Sequence, residues 1–351
     1  MSAGKEPTSQ KKRPIRISGQ GAKIWGIFGL LVAICLYTAL SSAQFLKVGN
    51  IENLVHRTAL FGILSIGAAI VIITGGIDLS TGSLVCLVGV LLPFLLTTHG
   101  WPVPLAVIAV LSLAAFIGLI HGLLITRLNI QPFIVTLCGL LLYRGIARGI
   151  TGDLSQGFGI HFKGLRSIAT SRLPIFGSAD NLFRLPSTTL ILIIIAVIAA
   201  VFLNKTIYGR YLFALGNNPE AARYSGINVD RMLVLAYVIA AVLSGVGGML
   251  FVLDINSAQP SDFGGFYELY AIAAAVLGGC SLRGGEGSIV GVVVGAAVMV
   301  AINNAINLVH PHYQNMEFAI VGGVILIGVI IDELARRLVA ARREAARHSA
   351  Q

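Results

Sequence analysis

Charged residues are scarce in this sequence. Of its 351 residues, 11% are Asp, Glu, Lys or Arg and 56% are hydrophobic, whereas ordinary soluble domains carry about 25% charged residues. So little charge cannot cover the surface of a water-soluble globule, and a lipid bilayer is the solvent that fits. The 25 Lys and Arg outnumber the 15 Asp and Glu. They lie in tails and loops and not on one folded face, which argues against nucleic-acid binding.

The sequence also lacks the common signatures of enzymes and metalloproteins. Its four cysteines lie singly in apolar runs, without the spacing of a disulfide framework or a zinc site. A nucleotide-binding loop needs Gly-x-x-x-x-Gly-Lys followed by Ser or Thr, but the Gly4-Lys5 pair is followed by Glu6. His310 and His312 have no third ligand nearby in sequence, which is typical of a solvated loop. We therefore predict no catalytic residues, no metal site and no cofactor.

Long apolar runs recur along the chain and predict about ten transmembrane helices, because a helix needs about 20 apolar residues to cross the hydrocarbon core. The predicted spans are Ile24–Leu40, Leu54–Thr74, Leu84–Leu96, Leu105–Thr126, Phe133–Ile150, Ser187–Leu203, Leu233–Leu253, Tyr267–Gly279, Ile289–Val309 and Met316–Ile331. The eighth run is too short for a simple crossing, which indicates a tilted span or a broken helix. The predicted fold class is all-α, a polytopic membrane protein with broken or short helices.

The distribution of basic residues predicts that both termini are cytoplasmic. Loops rich in Lys and Arg stay on the cytoplasmic side, and such residues are concentrated in an N-terminal tail, residues 1–23, and a C-terminal tail, residues 334–351. Residues 24–333 form the transmembrane domain between them. Ser41-Ser42-Ala43 faintly resembles a signal-peptidase site, but we expect an uncleaved first span because the rest of the chain is membrane helix. The long polar connection Thr151–Pro186 falls on the opposite side, and its role stays open.

A polar segment, residues 204–232, separates two membrane-length runs on the predicted cytoplasmic side. Asn218 suits an N-cap, Pro219 the first helical position and Glu220 the positive helix start. Gly226 suits the left-handed position after the end of a helix. These residues predict one short helix, about Pro219 to Ser225, which is too short to be stable alone in water and must dock against protein. We interpret the segment as a handle through which a partner moves the membrane helices.

A few polar side chains lie within or beside the apolar runs and are candidates for a translocation pathway. They are Asp78, Asn129, Gln131, Asn303, Asn304 and Asn307. Such groups are costly at membrane depth and usually face a cavity or another helix. Hydrogen bonding between helices remains the alternative for the three asparagines of the ninth run, and capping of the next helix remains the alternative for Asp78. The scarcity of embedded charges favours a neutral, hydroxyl-rich cargo over an ion.

Two glycine-rich turns resemble each other. Gly75-Gly76-x-Asp78-Leu79 with Gly82-Ser83 is similar to Gly278-Gly279-x-Ser281-Leu282 with Gly287-Ser288. Transporters use duplicated halves with glycine-interrupted helices to build a pathway. Chance recurrence in a chain with 41 glycines is the alternative. Whether a repeat would be parallel or inverted stays open.

Several motifs together resemble one family. They are Gly75-Gly76-Ile77-Asp78-Leu79-Ser80, the stretch Asn129 to Thr136, Tyr208-Gly209-Arg210, the stretch Gly216 to Ala222 with Ser225-Gly226-Ile227, and the stretch Ala275 to Gly279. Over residues 54–331 the chain resembles the permease subunits of bacterial monosaccharide ABC importers of the ribose, xylose and arabinose type. Cys138 and Cys280 depart from the small residues expected at their positions, and the Thr151–Pro186 connection is unusually long. The cargo and the contact with a binding protein therefore stay open.

The resemblance implies a multi-pass protein of the bacterial inner membrane, with a fold like the transmembrane core of vitamin B12-type importers. It implies a homodimer, or a heterodimer with a related permease, surrounded by membrane lipid. It also implies cytoplasmic ABC ATPase subunits, a periplasmic or lipid-anchored sugar-binding protein and a small sugar as cargo. The implied coupling residues are Gly216, Asn217, Asn218, Pro219, Glu220, Ala221, Ala222, Arg223, Ser225, Gly226 and Ile227.

The predicted mechanism is ATP-driven movement of the short helix by the partner ATPase, which rocks the helix bundle and opens a central path. The chain itself would not be an enzyme. One alternative is an ABC permease for branched-chain amino acids or nucleosides, which shares this mechanism and differs in cargo. Another is an ion-coupled secondary transporter or a channel, in which the same segment is only a linker.

Overall fold

The computed structural model describes residues 19–177, 182–316, 318–323, 326–327 and 330. Their helices are α1 (Gly19–Ser41), α2 (Val48–Ile73), α3 (Thr81–Pro93), α4 (Val103–Arg127), α5 (Pro132–Thr151), α6 (Lys163–Thr170), α7 (Ser187–Lys205), α8 (Ile207–Asn217), α9 (Pro219–Tyr224), α10 (Val229–Ile255), α11 (Tyr267–Leu277) and α12 (Ile289–Val309). A π-helical turn, Phe94–Thr98, extends α3, and a 3-10 turn, Pro311–Met316, follows α12. Residues 318–323 are also helical.

Eight of these helices are long and apolar enough to cross a membrane. They are α1, α2, α3 with its π-helical turn, α4, α5, α7, α10 and α12. The prediction of an all-α polytopic membrane protein is confirmed. The short eighth run forms α11, which has 11 residues and is a broken helix of the predicted kind. Part of the predicted tenth span, the predicted C-terminal tail and residues 1–18 lie outside the described residues.

Helices α2 and α10 form the centre of the bundle. Most of the α2 side chains are buried, and α10 packs against α2, α3 and α4. Glycines permit a close approach between α4 and α10. A Cβ atom at Gly118 would lie 2.6 Å from the Tyr237 carbonyl oxygen, and one at Gly122 would lie 2.6 Å from Cα of Val234. Small residues allow helices in a membrane to pack backbone against backbone in this way.

The bundle has two ends that different contacts define. At the α9 end, Lys23 forms an ion pair with Glu286 at 3.2 Å, and the Gly285 amide donates a hydrogen bond to the Ile73 carbonyl at 2.9 Å. At the opposite end, called the hairpin end because residues 172–176 and 183–186 form a β-hairpin there, the Asn50 and Asn304 side chains pair, with the Asn304 amide donating at 2.8 Å. The long helices run between these ends.

The long connection after α5 is structured. It contains β1 (Gln156–Gly157), α6, β2 (Arg172–Phe176) and β3 (Phe183–Pro186). β2 and β3 form an antiparallel hairpin in which Arg172 pairs with Pro186, and β1 pairs antiparallel with β4 (Ser257–Ala258). Glu52 at the start of α2 holds the hairpin, because it forms an ion pair with Arg172 and accepts a hydrogen bond from the Arg184 amide at 2.7 Å.

Two non-helical stretches enter the bundle. Residues 74–80 connect α2 to α3, and residues 259–266 lead into α11. Backbone groups at membrane depth must find partners inside the protein. For the second stretch Arg144 of α5 provides them, because its guanidinium donates to the carbonyls of Pro260 and Ser261 at 3.1 Å and of Phe263 at 3.0 Å.

The two similar glycine-rich turns meet at the α9 end. The Gly285–Ile73 hydrogen bond joins them, and a Cβ atom at Gly284 would lie 2.9 Å from the Gly75 nitrogen. The helices that follow them, α3 and α12, both run towards the hairpin end. The two copies are therefore parallel in orientation, while their origin by duplication stays a prediction.

Candidate functional site

The short polar helix α9 has the local structure that its sequence predicts. It begins at Pro219, and the Asn218 side chain caps it by accepting a hydrogen bond from the Ala221 amide at 2.9 Å. Gly226 follows the helix with φ +83°. The helix ends at Tyr224 and not at Ser225. The acid at its start, Glu220, and the base near its end, Arg223, complement the helix dipole.

Sequence reasoning missed α8, which occupies the first half of the polar segment. Thr206 caps it by accepting a hydrogen bond from the Gly209 amide at 3.2 Å. Its last turn lies against both glycine-rich turns, since a Cβ atom at Gly216 would collide with the Ile73 carbonyl and the Gly285 nitrogen. Within α8, the Asn217 side chain donates to the Phe213 carbonyl at 3.0 Å. The signal in the sequence is Thr206 as an N-cap, which only Asn204 and Lys205 separate from the apolar run that ends at Leu203.

The surface of α9 is exposed apart from one residue. Ala222 is buried, and it anchors the helix against the bundle. Tyr224, in contrast, is 92% exposed, and it was absent from the predicted coupling residues. Arg223 forms an ion pair with Asp230 at 2.9 Å. The predicted residues Asn217, Pro219, Glu220, Ala221, Ser225 and Gly226 are exposed, whereas Gly216 is buried and Ile227 is partly buried.

One buried thiol lies beside the contact between α8 and the two glycine-rich turns. Cys280 lies in the second glycine-rich turn and is 4% exposed. A Cβ atom at Gly287 would lie 2.9 Å from its Sγ atom and 2.8 Å from a side-chain carbon of Ile73. Burial raises the pKa of the Cys280 thiol to about 12, so the thiol is neutral at physiological pH.

Asp78 lies inside the bundle, in the stretch between α2 and α3. Its side chain is buried and accepts hydrogen bonds from the Ser80 amide at 2.8 Å and the Ser80 hydroxyl at 2.7 Å. These bonds fix the turn that leads into α3, and no side chain in the described part of the chain caps the α3 amides. Nearby, the hydroxyl of Tyr143 pairs with Nε2 of His121 at 2.6 Å.

Further polar groups lie around this position. A Cβ atom at Gly139 would lie 3.0 Å from Nε2 of His121 and 3.2 Å from Cβ of Ser80. The Tyr237 hydroxyl is buried and has no hydrogen-bond partner within the described ranges. Glu268 of α11 is 7% exposed, and a Cβ atom at Gly82 would collide with its carboxylate. Glu268 lies in the short eighth run and was not among the candidates from the sequence.

The other pathway candidates do not converge on Asp78. Asn129 and Gln131 are exposed in the turn between α4 and α5. Asn304 is paired with Asn50 of α2, as the alternative of hydrogen bonding between helices expects. The Asn307 amide donates to Asn303 at 2.8 Å within α12. The described residues include no group of three or more His, Cys, Asp or Glu that could hold a metal ion.

These features define the class of the protein. Eight membrane-length helices, non-helical stretches inside the bundle and a short exposed helix at one end are those of a multi-pass membrane permease.

The chain belongs to the family described as "Branched-chain amino acid transport system / permease component", whose profile matches residues 50–330. It is 36% identical to the ribose import permease protein RbsC of Escherichia coli strain K12 over 310 residues, which cover 87% of this chain and 92% of the relative.

Two further relatives are similar over most of their length. The ribose import permease protein RbsC of Bacillus subtilis strain 168 is 37% identical over 93% of this chain and 96% of its own. The xylose transport system permease protein XylH of Escherichia coli strain K12 is 30% identical over 90% of this chain and 93% of its own length. No solved structure matches the chain significantly, so the likeness to the vitamin B12-type importer core stays a prediction.

Proposed function

We propose that this chain is the membrane subunit of an ATP-driven importer in the bacterial inner membrane and forms the path for a small neutral sugar such as ribose. The observation that carries the proposal is α9, a capped, six-residue helix exposed at one end of the bundle. Relatives whose names state ribose and xylose support a sugar over an amino acid as cargo.

A separate ATPase subunit would supply the energy. The sequence has no Gly-x-x-x-x-Gly-Lys followed by Ser or Thr, which is the loop that cradles nucleotide phosphates in such ATPases. The partners we propose are a cytoplasmic ABC ATPase, a periplasmic or lipid-anchored sugar-binding protein, and a second permease that is identical or related. Both termini would face the cytoplasm, on the same side as α9.

The contacts of α8 supply a route from the ATPase to the membrane helices. The ATPase would bind α9 through Tyr224 and the charged residues beside it. Because Gly216 at the end of α8 touches the backbone of Ile73 and Gly285, a displacement of α9 and α8 would reach the end of α2 and the turn between α11 and α12 together. Movement of these elements would open and close the path.

The test is sugar uptake by the full importer, reconstituted with its ATPase and binding protein. We expect Gly226→Val and Ala222→Glu to abolish sugar-stimulated ATP hydrolysis and uptake while the chain still inserts. Valine at positive φ costs about 1–2 kcal/mol and distorts the end of α9, and glutamate cannot occupy the buried position of Ala222.

Gly100→Val is the matched control. Gly100 also has positive φ, +64°, and open space around its Cβ position, as Gly226 has, but it lies in the turn between α3 and α4. It should carry the same local strain and leave coupling intact. Normal coupling in both α9 variants would contradict the role of α9. Uptake by the chain alone, driven by an ion gradient without nucleotide, would favour a secondary transporter.

A further inference from the structure

A pocket opens between α2, α11, α12 and the helical residues 318–323. Its volume is about 210 Å³, and its lining includes Arg57, Phe61, Tyr267, Tyr270, Asn303 and Phe318. Pockets for drug-sized ligands measure roughly 300–1,000 Å³, so this one suits a small solute. None of these residues except Asn303 was a candidate from the sequence.

Aromatic rings form one wall of the pocket. The ring centroid of Phe61 lies 5.0 Å from that of Tyr267 and 5.5 Å from that of Tyr270. Phe251 of α10 packs behind them, 4.8 Å from the ring of Tyr267. The wall is therefore supported by three helices and holds its shape. The faces of aromatic rings carry partial negative charge and attract the weakly positive C–H bonds of a sugar ring.

Arg57 lies on α2 three residues after Leu54, where the predicted span begins, and its side chain is exposed. Counted along α2 at 1.5 Å per residue, it lies about 14 Å from the start of the helix and about 24 Å from its end. Its guanidinium has no hydrogen bond or ion pair with any residue that the structure describes. Its five N–H donors are available to the pocket.

Asn303 adds a side-chain amide on the α12 wall, next to its partner Asn307. An amide both donates and accepts hydrogen bonds, as a hydroxyl does. The pocket thus combines an apolar ring wall with donors and acceptors from α2 and α12. A neutral monosaccharide has the same two kinds of surface, an apolar C–H face and a rim of hydroxyls.

We propose that this pocket is a binding site for a neutral monosaccharide within the bundle, with the sugar ring against Phe61 and Tyr267 and its hydroxyls at Arg57 and Asn303. The proposal deepens the proposed function and rests on it for the class of ligand. Asp78 and the groups around it would then shape the inside of the bundle without touching the sugar.

The first test is direct binding of sugar to the purified full chain in lipid nanodiscs. Saturation-transfer NMR measures the binding of ribose, xylose and galactose. We expect saturable binding of at least one sugar. Arg57→Met should weaken it about tenfold or more, equivalent to about 1.4 kcal/mol, because methionine keeps the apolar stem and removes the donors. Tyr267→Phe, which keeps the ring, should change the preference among the three sugars.

Arg148→Met is the matched control, because Arg148 is an exposed arginine on α5, paired with Asp153 outside the pocket. It should bind sugar as the unmodified chain does. Equal binding by the Arg57→Met variant, no saturable binding of any of the three sugars, or tighter binding of a sugar acid of the same size would each overturn the proposal.

The second test separates this inference from the proposed function. The same variants are measured for uptake in the full importer. If the unmodified importer transports sugar and Arg57→Met leaves KM and selectivity unchanged, the pocket proposal fails while the proposed function stands. If the importer transports no sugar but the chain binds it through Arg57, the pocket stands and the proposed function fails.

Discussion

At the scale of single residues, Arg144 illustrates how a charged side chain fits inside a membrane-length helix. Its guanidinium satisfies three carbonyls of a non-helical stretch that lies more than a hundred residues later in the chain. Unsatisfied carbonyls would each cost about 1–3 kcal/mol if buried. The sequence alone shows a basic residue in an apolar run, and it cannot show that the partners are backbone atoms.

The thiol of Cys280 gives a prediction with a defined pH dependence. Burial raises its pKa from the ordinary value of 9.0 to about 12, and the thiolate is the form that reacts. Alkylation of Cys280 by iodoacetamide in the folded chain should therefore be absent from pH 7 to pH 9. It should appear after unfolding in detergent and denaturant. Mass spectrometry of the labelled peptide measures this, and labelling of the folded chain at pH 7 would contradict the buried position of Cys280.

At the scale of elements, the sequence predicted α9 almost to the residue because a helix start and a helix end depend on local chemistry. Asn218, Pro219 and Gly226 each have a preferred position around a helix. The packing of α8 could not be predicted in this way. The need for glycine at position 216 arises from contact with the backbones of Ile73 and Gly285, which are far away in sequence.

Gly216→Ala tests the contact of α8 with the two glycine-rich turns. The added methyl would collide with backbone atoms, and overpacking of this kind costs about 1–3 kcal/mol. We expect a lower midpoint of thermal unfolding and weakened coupling of ATP hydrolysis to uptake.

Gly164→Ala is the matched control for this change. Gly164 lies in α6 with open space at its Cβ position, and replacing glycine by alanine in a helix is neutral or stabilising by up to about 1 kcal/mol. An unfolding midpoint for Gly216→Ala equal to that of the unmodified chain would show that α8 can move away without cost.

At the scale of the whole molecule, the positions of the long spans were predictable and the interior was not. Eight predicted runs correspond to membrane-length helices, because length and hydropathy determine which segments cross a bilayer. The convergence of Arg57, Phe61 and Tyr267 depends on how α2, α10 and α11 pack, and no local sequence pattern indicates this packing. Asp78 was a candidate because a carboxylate is costly at membrane depth, but its bonds to Ser80 were not predicted.

The orientation of the bundle in the membrane can be tested by cysteine labelling. Tyr224→Cys places a thiol at the 92% exposed position on α9, and Ile160→Cys places one at an 80% exposed position before α6. With a membrane-impermeant maleimide we expect the Ile160 variant to react in intact spheroplasts. The Tyr224 variant should react only in inverted vesicles, with the unmodified chain as the control for native cysteines. The reverse pattern would place α9 outside and remove the basis for its contact with an ATPase.

The contact of α8 with the two glycine-rich turns is made of main-chain atoms, with the Gly285 amide on the Ile73 carbonyl and Gly216 against both. Peptide groups do not titrate and are not screened by dissolved ions. We therefore expect this main-chain contact to be the same in acid, in base and in concentrated salt, whereas the Lys23–Glu286 ion pair beside it should weaken in concentrated salt. A change of uptake under such conditions would then report on charged contacts, either at this ion pair or where other subunits attach.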